Sequence, residues 1–215
     1  MNTNYQTYWE SSWREEDSSQ LQTYLEGWKN YHGREIELLK EHQVKSVCDA
    51  ACGFGAYTVA FAANGFEVAG FDISSTSAEI TKQGLKKCGF PDVDIKVASL
   101  LDTGYGDASF DAVNARAVLD HLTVADAKKA IGELFRIIRN GGLVIVSFDS
   151  AEEEDFLEEH VEIEPGTMQY VSGSRKGMLF HPYEWDEIDR LLDGYQIVEK
   201  WTNQKEEKIV VLKRR

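Results

Sequence analysis

The order of apolar runs along this chain leaves few folds open to it. VKSVCDA (44–50), FEVAGFD (66–72), VDIKVAS (93–99), SFDAVNA (109–115) and GLVIVSFD (142–149) have the length and composition of strands. Helical patterns fall between them, at AYTVAFAANG (56–65), STSAEITKQGLKKCG (75–89) and TVADAKKAIGELFRIIRNGG (123–142). Asn64-Gly65 stops the first of these helices, and Thr76 with Glu79 has the spacing of a capping box on the second. In the third, Thr123 and Asp126 suit the N-cap, Ala127, Ala130, Ile131, Leu134 and Ile138 share one side, and Gly141-Gly142 ends it. Strands alternating with helices imply a parallel sheet with right-handed crossovers. After a helix over 182–194, YQIVEKWTN (195–203) and EKIVVLKR (207–214) follow with almost no residues between them. Strands joined so tightly are antiparallel. The expectation is an α/β fold with a mostly parallel sheet of seven strands, helices on both faces, and a C-terminal antiparallel hairpin.

The 215 residues suit one domain of this kind. We read residues 1–43 as an N-terminal helical cap or lid and 44–215 as the main domain, with 150–181 inserted on the ligand side. Residues 18–43 read as two helices, and Leu21, Tyr24, Leu25 and Trp28 make one apolar face of the first. The stretch before them holds Tyr5, Tyr8, Trp9 and Trp13, rings that either close over a site or pack a helix on the domain. In the insertion, EEEDFLEEHVEIE reads as a solvated helix face and MQYVSGSRKGMLF as a small hairpin or flap.

Charge narrows the partners. The formal net charge is −14, from 37 acidic against 23 basic residues. Nucleic-acid affinity comes largely from lysine and arginine, so a nucleic-acid partner is not expected. No run approaches the roughly 18 apolar residues of a membrane span, and the polar start has no signal-peptide core. Cys48, Cys52 and Cys88 form no even disulfide framework, which points to a reducing compartment and the cytoplasm. Cys48 and Cys52 lack a zinc ligand spacing and read as packing residues; no metal is expected.

Between the first strand and its helix lies Asp49-Ala50-Ala51-Cys52-Gly53-Phe54-Gly55. Glycines there allow positive φ and close approach of a ligand to the backbone, or serve only a tight turn. The loop falls where open α/β sheets bind ligands, outside the carboxyl ends of the strands. The second strand ends on Asp72, which can accept from both hydroxyls of a ribose or cap the helix that begins near Ser75. A dinucleotide site would want a third glycine where Thr58 stands, and a second mononucleotide half.

With these features the chain resembles the class I S-adenosylmethionine (SAM)-dependent methyltransferases of the small-molecule type. The resemblance rests on VCDAACGFGAYTVAFAANGFEVAGFDIS, ASLLDTGYGDASFDAVNARAVLDHL and RIIRNGGLVIVS, in that order, and on the terminal hairpin. It implies a Rossmann-like fold, SAM as methyl donor, S-adenosylhomocysteine (SAH) as product, and a small-molecule acceptor. It also implies roles. Asp49 would sit near the methionine amino group, and the backbone of Ala51, Gly53 and Gly55 would border methionine and ribose. Asp72 would hold the ribose hydroxyls, Ile73 would lie against the adenine, and Ser99 and Leu100 would flank that ring. Ala115 would close the methionine side, and Arg116 would face the acceptor. Many relatives carry aspartate where Ser99 stands. The Asn/Asp-Pro-Pro-Tyr/Phe signature of relatives acting on nucleobase or glutamine amino groups is absent, and VNARAVLDHL replaces it. His121 is the candidate general base, or else a packed helix residue; His181 borders the cleft or only starts a helix. The acceptor could be an amine, a hydroxyl or a thiol. The rival readings are a SAM-binding sensor without catalysis and a nicotinamide-dependent oxidoreductase.

Overall fold

The computed structural model describes residues 3–16 and 18–215; residues 1, 2 and 17 of the expected cap lie outside the described residues. The parallel strands are β1 (Ser46–Ala50), β2 (Glu67–Asp72), β3 (Asp94–Val97), β4 (Phe110–Ala115) and β5 (Ile138–Phe148). The hairpin is β9 (Gln196–Thr202) and β10 (Lys208–Lys213). The sheet order is β3-β2-β1-β4-β5-β10-β9, with β10 antiparallel to both of its neighbours. This is the mostly parallel sheet of seven strands that the apolar pattern implied, with the Rossmann-like arrangement that the resemblance implied.

Period-two alternation divides the core between the faces of the sheet. Val47, Ala112, Leu143, Ile145, Ile209 and Val211 pack one way, with Ile36, Leu38 and Leu39 of α3 (Arg34–Glu41) and Phe61 of α4 (Ala56–Ala63). Beside them Leu25 of α2 (Ser18–Trp28) packs with Ala78 and Leu85 of α5 (Ser75–Cys88). Cys48, Val113, Val144, Val146, Val210 and Leu212 point the other way, onto α6 (Val124–Ile137) and Ile188 and Leu191 of α8 (Trp185–Leu191). Packing therefore runs across the boundary expected at 43/44, because α3 packs on one face of the sheet. In α2, Leu25 is buried as expected, whereas Tyr24 is exposed.

Three local expectations are corrected. The cap of α5 is Ser74, whose hydroxyl accepts from the Ser77 amide at 3.1 Å; Thr76 and Glu79 form no capping box. Helix α6 stops at Ile137, before Gly141-Gly142, and β5 starts at Ile138. The Arg214 guanidinium takes the carbonyls of Phe135 (2.7 Å) and Arg136 (3.2 Å), capping the helix from the far end of the chain. Gly141 (φ 78°) instead serves an irregular entry into β5, where the register shifts against β4. The acidic run in the insertion is half helix and half strand. A short α7 (Glu153–Leu157) leads into β6 (His160–Glu164), which pairs with β7 (Thr167–Tyr170) and through it with β8 (Leu179–Phe180).

The N-terminal aromatics lie on α1 (Thr3–Glu15), which bridges the carboxyl ends of the parallel strands. At one side the Tyr5 hydroxyl accepts from the Thr123 amide and donates to Asp126, both at 3.1 Å at the start of α6. At the other, the Glu10 carboxylate accepts from the hydroxyls of Ser74 (2.8 Å), Ser75 (3.2 Å) and Thr76 (2.7 Å) at the start of α5. A carboxylate at a helix N-terminus also meets the positive end of the helix dipole.

Candidate active site

A cavity of about 900 Å³ opens between α1 and the carboxyl edge of the sheet. Its first half is made by the turns after β1 and β2. Ala51 (φ 54°) and Gly53 (φ 54°) both adopt the left-handed conformation, which for Ala51 costs about 1–2 kcal/mol and is held by the surrounding turn. A side chain at Gly53 would be strained by its φ and would set a Cβ 3.2 Å from the Trp13 ring, closer than ordinary contact.

Two buried carboxylates border this half. Asp72 accepts from the amides of Gly53 (3.0 Å) and Ser74 (2.9 Å). Asp49 accepts from the hydroxyl of Thr58 (2.6 Å) and the amide of Asn114 (2.9 Å). Burial pushes both carboxyls up, Asp49 to about 6, against the opposing pull of those hydrogen bonds.

The second half is made by the segments after β4 and β5, the insertion and the β9–β10 turn. Antiparallel β10 enters the sheet beside the end of β5, so this turn is carried to the same edge and adds Lys205 and Glu207. The Arg116 guanidinium is clamped between Glu35 of α3 and Glu207, with its Nε 3.1 Å from Glu207 and its plane over the Tyr57 ring. His121 sits in a single 3-10 turn, Leu119–His121. Its Nδ1 lies 2.9 Å from the Leu179 carbonyl, an acceptor only, so that nitrogen donates there. Its ring meets Trp9 edge-on at 5.0 Å and Phe180 at 5.9 Å.

Of the residues singled out in the sequence, Asp49, Ala51, Gly53, Asp72, Ile73, Arg116 and His121 line this cavity, with Trp9 and Trp13 on α1. Gly55, Ser99, Leu100 and Ala115 do not line it. Gly55 (φ 92°) starts α4 with Thr81 packed where a Cβ would stand. The Ser99 hydroxyl accepts from the Leu101 amide, while Leu100 and Ala115 are core residues. His181 also lies away from the cavity: its Nδ1 is 2.8 Å from the Thr167 hydroxyl, and its ring stacks on Tyr183 at 3.7 Å. Phe180 faces the cavity instead. Cys48 and Cys52 are buried thiols pushed well up by burial, which makes them poor nucleophiles.

Sequence reasoning missed Glu35, Glu207, Asp149 and Phe180. Asp149 carried a signal, since it directly follows a buried parallel strand. Glu35 and Glu207 carried none, because their meeting with Arg116 depends on the packing of α3 and on the terminal hairpin. No helix among the described residues is long and apolar enough to cross a membrane.

Residues 48–146 match the family described as "Methyltransferase domain". Over 110 residues the chain is 33% identical to tRNA (carboxymethyluridine(34)-5-O)-methyltransferase of Arabidopsis thaliana, covering 51% of this chain and 25% of that one. The chain spans between a quarter and about half of the length of the curated relatives it matches first. Among solved structures, a SAM-dependent methyltransferase from Methanosarcina mazei superposes with a TM-score of 0.69 at 16% identity, over 85% of this chain and 98% of that one. The 1,6-didemethyltoxoflavin-N1-methyltransferase of Burkholderia thailandensis, solved with its acceptor and SAH, superposes with a TM-score of 0.62 at 16% identity, over 84% and 77%. The matched segment runs from β1 into β5 and carries both turns that build the first half of the cavity, so this part of the chain is similar to the methyltransferase-domain family, and solved structures that share the fold include SAM-dependent methyltransferases.

Proposed function

We propose that this protein is a methyltransferase that takes SAM as donor and methylates a small molecule held in the second half of the cavity. One observation carries the reading: Asp72, buried at the end of β2, faces the cavity beside a glycine turn that brings bare backbone to the same wall. A carboxylate there suits the two hydroxyls of a ribose, and Gly53 leaves room that a Cβ would fill. Asp49 would receive the donor's amino group, and Ile73 would lie against the adenine. When bound, SAM supplies a methyl group already activated by a positive sulfur. The chain then has to align the acceptor, exclude water and take up a proton where the acceptor carries one.

Trp9, Trp13 and His121 form the water-excluding wall, with α1 as a lid pinned at Tyr5 and Glu10. Arg116 is a positioning residue: its paired guanidinium fixes the segment after β4 rather than touching the acceptor. The cavity's size supports a small acceptor, since about 900 Å³ has to hold donor and acceptor together. The net charge of −14 disfavours nucleic acid.

The test is calorimetry on Asp72→Ala. SAM and SAH should each bind about 1–3 kcal/mol more weakly, the range for losing a charged acceptor. Unchanged affinity in a folded variant, or preference for NAD over SAM, would overturn the reading.

A further inference from the structure

The hydrogen-bonding groups of the acceptor half are unbalanced. Its guanidiniums are already neutralised, Arg116 by Glu35 and Glu207, and Arg175 by Asp155 and Glu158. Lys205 stands on the exposed β9–β10 turn. Against these stands Asp149, the residue after β5, which lines the cavity. Its backbone amide donates to Asp120 at 2.9 Å, and its carboxylate has no hydrogen bond or ion pair among the described residues. Asp120 is fully buried beneath it, and its Oδ1 has no partner. One ligating atom from each of Asp120, His121 and Asp149 lies within 4.8 Å of the others. The carboxylates can accept, and no described residue donates a hydrogen bond to the Asp149 carboxylate or to the Asp120 Oδ1. The walls beside them are Trp9 and Phe180, both against His121, and aromatic ring faces attract cations.

We infer that the methyl acceptor is a cationic amine, bound with its ammonium group at Asp149 between aromatic walls, and that Asp149 takes the ammonium proton. The inference rests on the methyl-transfer reading above. An N–H bond of the ammonium breaks and an O–H bond forms on Asp149, which frees the nitrogen lone pair. That lone pair bonds to the methyl carbon as the sulfur–methyl bond breaks, and the broken bond's electrons stay on sulfur. The positive charge passes from sulfur to the methylated nitrogen, and the proton on Asp149 leaves to solvent after product release. The charged groups around Asp149 are Asp120, His121, Glu207 and Arg116. Burial first, and Asp120 second, push its carboxyl up towards the range useful to a proton acceptor near neutral pH.

The experiment titrates the full chain, saturated with SAH, with benzylamine, benzyl alcohol and benzoate. Benzylamine should bind about tenfold or more tighter than benzyl alcohol, and benzoate weakest, as expected for a partly desolvated cation on carboxylate and rings. Asp149→Asn should erase the preference for the amine while SAH affinity stays within about twofold, since Asp149 lies on the acceptor side. A screen of labelled SAM against primary amines, phenols and thiols should label amines. Equal binding of benzylamine and benzyl alcohol by the unaltered protein overturns the inference, as does labelling confined to phenols or thiols. So does labelling that EDTA abolishes and Mg²⁺ or Mn²⁺ restores, because the carboxylates would then hold a metal ion. Failure to bind SAH at all would sink the methyl-transfer reading itself, and the amine inference with it.

Discussion

The two halves of the cavity lie on one edge of one sheet, yet they are built differently. At the β1–β2 end most of the wall is local: Asp72 is held by Gly53 and Ser74 and Asp49 by Thr58 nine residues on, with one distant contact, Asn114 of β4, 65 residues from Asp49. At the β4–β5 end it is assembled over long distances. Arg116 meets Glu35, 81 residues earlier, and Glu207, 91 residues later, while Asp149 stands over Asp120. A turn between adjacent strands can hold a recurring ligand with few residues. A wall made from a helix, an insertion and a terminal hairpin can change its lining without disturbing the sheet.

The contrast breaks most sharply at Arg116. Arg116→Met would leave Glu35 and Glu207 buried without their counter-charge. The expected loss is about 3–5 kcal/mol in chemical denaturation, the scale for breaking a buried pair. A loss below about 1 kcal/mol would mean that this end is not held by the cluster. SAH affinity of any folded remainder should change little, since the donor half does not depend on these contacts.

A second effect belongs to the other end. Burial pushes the Asp49 carboxyl in the folded chain up to about 6, from the ordinary aspartate value of 3.8. Between those values the folded state holds a proton that the unfolded chain has released. Stability is therefore full below about 3.8 and falls as pH rises through about 6, by roughly 3 kcal/mol for a shift of this size. Asp49→Asn should remove that slope, because the Thr58 hydroxyl can turn to accept from the new amide. Melting curves from pH 4 to 7 should show the ligand-free variant gaining on the natural protein as pH rises, while its SAM affinity falls. Parallel curves would refute the assignment.

The smallest effect tests α1 as a lid joining the halves. Burial acts to raise Glu10, but hydrogen bonds from Thr76, Ser74 and Ser75 outweigh it and hold the carboxyl at about 2. Glu10→Gln keeps the hydrogen-bonding oxygen but removes the charge at the start of α5, a change of about 1 kcal/mol. Tryptic cleavage after Arg14 should accelerate with almost no change in melting temperature, and SAH should slow it again. Cleavage indifferent to both the substitution and SAH would make α1 a fixed part of the wall. Trp13 bears on this point: its ring lies against Gly53, the backbone a donor would approach, so donor entry calls for α1 to shift.

Much of the first half was legible because its chemistry is written in short segments. The run of the second strand placed Asp72 at its end, the family resemblance singled out Asp49, and the glycine turn after β1 needs conformations that neighbouring residues specify. Ser99, Leu100 and Ala115 were less legible: their places in the chain were clear, but only the packed fold shows them facing the core or their own loop. The Thr76 capping box failed because Ser74 reached the Ser77 amide first and Glu10 took the threonine hydroxyl. Gly141-Gly142 gave a helix stop five residues late, because the Arg214 guanidinium caps those carbonyls from the last strand.

The sequence by itself determined the order of elements, the parallel sheet with its antiparallel ending, and the residues at the β1 and β2 turns. These depend on periodicity and on backbone demands that act over a few residues. Tertiary structure alone decided that Glu35 and Glu207 would close on Arg116, that Asp149 would stand unpaired above Asp120, and that α1 would cross the cleft from Tyr5 to Glu10. Those juxtapositions arise from burial and from the pairing of charges far apart in the chain, and nothing local in the chain encodes which distant carboxylate a guanidinium will find.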